Sequence, residues 1–114
     1  MTAMPCVRSS PPTPGSPYEP SVVWLEGEHD LSTAEALAEE LARVISRDEA
    51  DLVMDLSGVE FMAAATVELI VRARKFLAPA SRSLILRAPS SSARRVLDLL
   101  GLEYSPAPEL SRSA

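Results

Sequence analysis

The sequence predicts an α/β domain built on a mainly parallel sheet, and three observations lead there. Short apolar, β-rich runs recur at Ser21 to Gly27, Asp51 to Ser57 and Ser83 to Ala88. Their apolar character is continuous rather than alternating, as in strands of a sheet covered by helices. A segment with helical apolar period follows each run. Strand, helix, strand, helix, strand, helix is the order that right-handed crossovers fold into a parallel sheet.

The elements can be justified in chain order. Pro11 to Pro20 holds five prolines and one glycine in ten residues, which removes backbone donors and forbids helix or central strand. Residues 1–20 are therefore expected to be a disordered tail, with room only for a short edge strand around Val7. Ser21 to Gly27 is the first long strand. Ser32, with Glu35 three residues later, predicts a capping box for a helix that turns Leu37, Leu41, Val44 and Ile45 inward. The second strand ends in Asp-Leu-Ser-Gly, read as a turn in which Asp55 and Ser57 cap backbone groups.

A second helix is expected from about Ala64 to Leu77. Projected at 100° per residue, Thr66, Leu69, Ile70, Ala73, Phe76 and Leu77 form its core face. Val67, Val71 and Ala78 fall on the opposite side, flanked by Arg74 and Lys75, with Glu68 and Arg72 as an i,i+4 pair. After the third strand, a helix opening at the Pro-Ser-Ser-Ser-Ala segment keeps Ala93, Val96, Leu97 and Leu100 on one face and stops at Gly101. The domain is thus placed at residues 21–104, with 105–114 as a short, proline-broken tail.

Composition narrows the function. The chain has 114 residues, 46% of them hydrophobic, and a net charge of −5, so one core can form and wholesale disorder is excluded. No run approaches the roughly 20 apolar residues of a membrane span, and the first twenty residues lack a basic start followed by an apolar stretch. A cytoplasmic protein without membrane insertion is expected. Its eleven basic residues, ten of them Arg, are scattered, which argues against nucleic-acid binding. Cys6 alone forms no internal disulfide, and His29 alone assembles no conventional zinc cluster. Gly15, Gly27, Gly58 and Gly101 are isolated, so no phosphate-cradling loop is present. No metal or cofactor is expected.

Chemistry-bearing candidates are few. Glu28, His29 and Asp30 supply a base and acids, but neighbouring residues point apart and no nucleophile accompanies them; His29 is read as a surface residue of the strand-to-helix loop. Asp30 has two readings, loop hydrogen bonding or polar contact at the mouth of the sheet, where open α/β sheets meet their partners. Ala63, Ala64 and Ala65, followed by Thr66, leave a helix start without a side-chain cap and make a smooth apolar platform. Val67, Val71 and Arg74 form a second strip on a helix that already has a core face, a candidate contact surface.

Across Val22 to Leu102 the chain resembles the STAS domain of anti-sigma factor antagonists. The resemblance rests on a strand ending in Gly-Glu-x-Asp at Gly27 to Asp30, the Asp-Leu-Ser-x-Val-x-Phe segment from Asp55, and the Arg-Arg-Val-Leu-x-x-x-Gly-Leu helix ending at Leu102. It implies a four- or five-stranded sheet and a partner-switching protein that binds a kinase-like, ATP-binding anti-sigma factor. It also implies a phosphoserine within Asp-Ser-Ser-Gly at the head of the second helix, whose phosphate brings about −1.5 to −2 charges into the interface. That motif falls on Ala63, Ala64, Ala65 and Thr66, and the acceptor position on Ala65. Thr66 and Ser57 are the substitute acceptors at hand.

The partner surface expected from these readings comprises Glu28, Asp30, Ser57, Gly58, Ala63, Ala64, Ala65, Thr66, Val67, Val71 and Arg74. The weakened first strand and missing final helix point to a sheet edge covered by a homodimer or by the partner. The alternative is a STAS-type regulatory or ligand-sensing subunit acting on a transporter or another regulator.

Overall fold

The computed structural model describes residues 6–9, 20–47 and 49–105. Strands β1 (Cys6–Ser9), β2 (Ser21–His29), β3 (Leu52–Met62) and β4 (Leu84–Arg87) form one sheet in that order. β1 pairs antiparallel with β2, and the β2–β3 and β3–β4 pairs are parallel. Helices α1 (Ala34–Arg47) and α2 (Ala64–Leu77) are the crossovers, and α3 (Ser91–Leu100) follows β4. The edge strand allowed around Val7 is β1. The rest of the proline-rich segment and the chain beyond Ser105 lie outside the described residues.

The core is a single cluster. Val23 and Leu25 of β2, Met54 and Leu56 of β3, and Leu84 and Leu86 of β4 pack with Leu37, Leu41 and Val44 of α1, Ile70 and Leu77 of α2, and Leu97 of α3. Val53 is buried yet outside this cluster, in register with Val22 and Ile85. Strand alternation therefore puts it on the opposite face of the sheet. Two residues on, in the next row of that face, Arg8, Trp24, Asp55 and Arg87 run across all four strands. Arg8 stacks 5.1 Å over Trp24 and pairs with Glu26, while Asp55 Oδ2 accepts from Arg87 Nε at 2.9 Å.

Several sequence expectations are corrected. The Asp-Leu-Ser-Gly segment does not turn. It continues as strand to Met62, with three steps of β3 opposing two of β2 between Asp55 and Gly58, and a second extra residue before Phe61. These are β-bulges. The first is held because Asp55 Oδ1 accepts from the Ser57 N–H at 3.0 Å and the Ser57 hydroxyl at 2.6 Å. Gly58 fits there because a Cβ would stand 2.7 Å from Glu26 Cγ.

The capping box at the head of α1 is Asp30 with Thr33, not Ser32 with Glu35, and it encloses a 3-10 turn at Leu31–Thr33. On α2 the buried arc runs through Thr66, Val67, Ile70 and Leu77, whereas Phe76 is 70% exposed. The helix is rolled toward Val67 because its neighbours enclose it from two sides, with Leu69 and Ala73 facing α1. Glu68 and Arg72 form no ion pair among the described residues.

The third helix is capped as its sequence suggests. Ser90 Oγ accepts from Ala93 N–H and donates to the Val59 carbonyl at 2.6 Å, which ties α3 to β3. Gly101 ends it with φ 75°, and Leu102 N–H returns to the Leu97 carbonyl. Leu102 therefore packs on the core, while Leu100, expected inward, is 48% exposed. The chain then lays Ser105 beside β4, with Ser105 N–H bonded to Leu86 O and Ala88 N–H to Ser105 O. That bridge closes part of an edge expected to stand open.

Candidate partner-binding site

Parallel strands deliver their carboxyl ends to the same rim, and the site is built there. His29 and Met62 are the last paired residues of β2 and β3. One step beyond them the chain becomes Asp30 on one side and Ala63 on the other. The His29 carbonyl accepts the Ala63 N–H at 2.9 Å and the Thr66 hydroxyl at 3.1 Å. The head of α2 is thereby tied to the end of β2, and Asp30 and Ala63 to Thr66 become neighbours.

Asp30 is held in a defined pose. Its Oδ1 accepts from the Ser32 hydroxyl at 2.7 Å, the Ser32 N–H at 3.0 Å and the Thr33 N–H at 3.3 Å, while its own N–H donates to Thr33 Oγ1. The Ser32 hydroxyl bond, with the backbone donors, lowers the Asp30 pKa from its ordinary value against a smaller opposing effect of desolvation. The carboxylate is charged at neutral pH and fixed at the rim.

Ala63 is the N-cap of α2 in extended backbone, and no side-chain oxygen caps the helix. Ala64 is exposed and Ala65 half-buried, whereas Thr66 is fully buried and its hydroxyl is committed to His29. Thr66 therefore does not present a hydroxyl at the surface. Around this head stand Leu31, 75% exposed, and Phe61, 49% exposed and in register with Glu28. Glu60 is exposed beside Phe61. Leu31 and Phe61 were missed by the sequence reading: the signal was a strand continuing past Gly58, which turns Phe61 outward at its bulged end.

Other expected site residues lie elsewhere. Ser57 is exposed, but five residues back along β3, roughly 15 Å from the rim at 3.3 Å per residue, with its hydroxyl bound to Asp55. Gly58 sits against Glu26 rather than at the α2 head. Val67 is 3% exposed and belongs to the core, so the outer strip loses its first member. Val71 is half-buried and lines, with Val67, Leu100 and Leu102, a groove of about 500 Å³ between α2 and the end of α3. Arg74 turns to β4, where Nε and Nη2 donate to the Leu84 carbonyl at 3.3 and 3.1 Å. It clamps the sheet edge.

His29, expected at the surface, is 1% exposed, with Nε2 3.0 Å from the Glu26 carbonyl. It supports the end of β2. Among the described residues no group of three or more His, Cys, Asp or Glu is placed to hold a metal ion, and no helix is long and apolar enough to cross a membrane.

Comparison with known proteins agrees with this geometry. Residues 14–106 match the family described as Mlab, STAS domain. The chain is 31% identical over 83 residues to the anti-sigma-F factor antagonist RsfB of Mycobacterium tuberculosis, strains CDC 1551 / Oshkosh and ATCC 25618 / H37Rv, spanning 73% of this chain and 67% of that protein. It is similar to the crystal structure of an anti-sigma factor antagonist from Mycobacterium paratuberculosis, with TM-score 0.73 and 25% identity over 91% of this chain and 89% of that one. The unphosphorylated form of the anti-sigma factor antagonist SpoIIAA shares the fold, with TM-score 0.72 and 22% identity over 85% and 82% of the two chains. The chain belongs to the STAS domain family, among the anti-sigma factor antagonists.

Proposed function

We propose that this protein binds a kinase-like anti-sigma factor through the rim formed by Asp30, Leu31, Glu28, Phe61 and Ala63 to Ala65, and that this contact is not switched off by phosphorylation at the usual position. Binding would free a sigma factor for transcription without catalysis by this chain. The observation that carries the reading is the head of α2: its exposed face is alanine, and its one hydroxyl, on Thr66, is buried and bonded to the His29 carbonyl. A smooth apolar helix start beside a fixed carboxylate suits contact with a protein surface. Absence of an acceptor removes the route by which added phosphate would repel the partner.

Two further features support the surface. Leu31 and Phe61 offer apolar anchors of the kind that dominate interface energetics. Glu28, Asp30 and Glu60 form an acidic rim around them, which favours a basic partner surface. Affinity capture from the source organism, with ADP or ATP present, tests the reading. Recovery of an ATP-binding anti-sigma factor with either nucleotide is the expected result. Recovery of a transporter subunit or another STAS chain in its place would contradict it.

A further inference from the structure

His29 is an ionisable side chain in the interior. The inward positions of β2 are Ser21, Val23, Leu25, Gly27 and His29, and the last is 1% exposed. Among the described residues the buried ionisable side chains are His29 and Asp55, and Asp55 has the Arg87 guanidinium beside it. His29 meets a carbonyl instead. Its Nε2 stands 3.0 Å from Glu26 O, and a carbonyl only accepts, so Nε2 carries a proton and Nδ1 is the nitrogen that acid protonates.

The backbone of the same residue holds the rim together. His29 O receives the Ala63 N–H and the Thr66 hydroxyl, the two bonds that join the end of β2 to the head of α2. A ring that moves therefore takes this tie with it.

Beside the ring lies a cavity of about 380 Å³, lined also by Val7 of β1, Ser32 and Thr33 of the 3-10 turn, and Ala36 and Glu40 of α1. The Arg43 hydrogen bond, helped by the Ser9 hydroxyl, holds the Glu40 carboxyl below its ordinary pKa against desolvation, so Glu40 is charged where a histidine titrates. The other charges near the ring are turned away or satisfied. Asp30 Oδ1 accepts from Ser32 and Thr33, while Arg8, Glu26 and Glu28 stand on the other face of the sheet. Val7, Met62 and Thr66, from β1, β3 and α2, are neutral.

We propose that His29 is an acid-sensitive positioning residue of the rim. As a neutral ring it packs at the end of β2 and aims its carbonyl at α2. Burial disfavours the imidazolium, so a second proton drives the ring from Glu26 O into the cavity, where solvent and the Glu40 carboxylate receive it. The His29 carbonyl is drawn off Ala63 and Thr66, and Asp30 parts from the alanines. Opening binds the proton at a histidine near its ordinary value of about 6.5, so opening grows as pH falls below that value and is suppressed above it.

Hydrogen exchange at the Ala63 amide of the full chain tests this, read as a protection factor between about pH 7 and about pH 5. The parent should lose protection about tenfold over that range. His29→Gln retains an amide donor for Glu26 O and cannot titrate, so its protection should stay flat, with the circular dichroism of both chains unchanged. His29 is the single histidine of the chain, and its ring resonances in the parent should titrate below the ordinary value. Flat protection in the parent, an equal fall in His29→Gln, or a ring midpoint at or above the ordinary value overturns the proposal. Affinity for the anti-sigma factor at the same pH values rests on the function proposed above: it should weaken in the parent and hold in His29→Gln. Exchange that follows pH while affinity does not would leave the switch standing and contradict the rim.

Discussion

The Thr66 hydroxyl donates to the His29 carbonyl at 3.1 Å, with both residues buried and thirty-seven positions apart in sequence. That bond joins the first turn of α2 to the last residue of β2. It also removes from the surface the one hydroxyl in the segment from Ala63 to Thr66. Thr66→Val keeps the shape and deletes the donor, while the Ala63 N–H still donates to His29 O. A loss of about 1 kcal/mol is expected in chemical denaturation, and incubation with ATP and the captured anti-sigma factor should leave no phosphate on Thr66 by mass spectrometry.

Installing the missing acceptor should create the missing switch. Ala65 is half-buried at the α2 head, so Ala65→Ser adds one hydroxyl at modest structural cost. Partner affinity is expected to match the parent in ADP and to fall about tenfold or more once ATP permits phosphorylation. A variant phosphorylated at Ser but still binding equally well would place the partner elsewhere.

Asp55 and Arg87 pair on the face of the sheet opposite α1, α2 and α3. Burial would raise the Asp55 pKa, but the Ser57 hydroxyl and N–H and the Arg87 guanidinium together bring it below the ordinary value. A depressed native pKa contributes stability that is complete above the unfolded-state value and is lost as pH falls through the native one. The parent should therefore hold its stability through neutral pH and lose it in acid, with Asp55→Asn showing a shallower acid slope. Asp55→Ala should cost about 2 kcal/mol at neutral pH.

Gly58 tests the bulge. Its missing Cβ makes room for Glu26 Cγ, so Gly58→Ala should destabilise by about 1–2 kcal/mol through crowding in mid-sheet. Glu26→Ala in the same chain should recover much of that loss, because the crowding atom is gone. The Arg8–Glu26 pair sacrificed in the double variant is about half exposed and contributes little. Additive losses in the double-mutant cycle would contradict the contact.

Val67 and Val71 separate packing from binding. Val67 is core, so Val67→Ala should lower stability by about 2 kcal/mol. Val71→Asp, in the groove with Leu100 and Leu102, tests whether the partner surface extends from the rim along α2. The rim alone predicts a change in partner affinity of less than a few-fold; a larger loss extends the site.

The strand–helix order, most core residues and the start of the second helix at Ala64 were legible because apolar period and capping residues are local properties. Other features were set by partners distant in sequence. Asp-Leu-Ser-Gly has turn chemistry, yet pairing with Trp24 and Glu26 keeps it in the sheet and converts its turn residues into a bulge. A helical projection finds an apolar arc but not its centre, which α1 and the sheet fix together; hence Val67 is inside and Phe76 outside. Arg74 looked like a flank of a contact strip because the Leu84 carbonyl it holds belongs to another strand. At the site, Asp30 and the alanines were legible, whereas Leu31 and Phe61 emerged only once β3 was seen to continue to the rim.

The most direct test of the central claim is the affinity of the parent chain for its captured anti-sigma factor, measured in ADP and after prolonged incubation in ATP, with the mass of the chain recorded in each. Equal affinity and an unchanged mass are predicted. Weakened binding in ATP accompanied by a phosphorylated chain would contradict the account and move the switch to a residue other than Ala65.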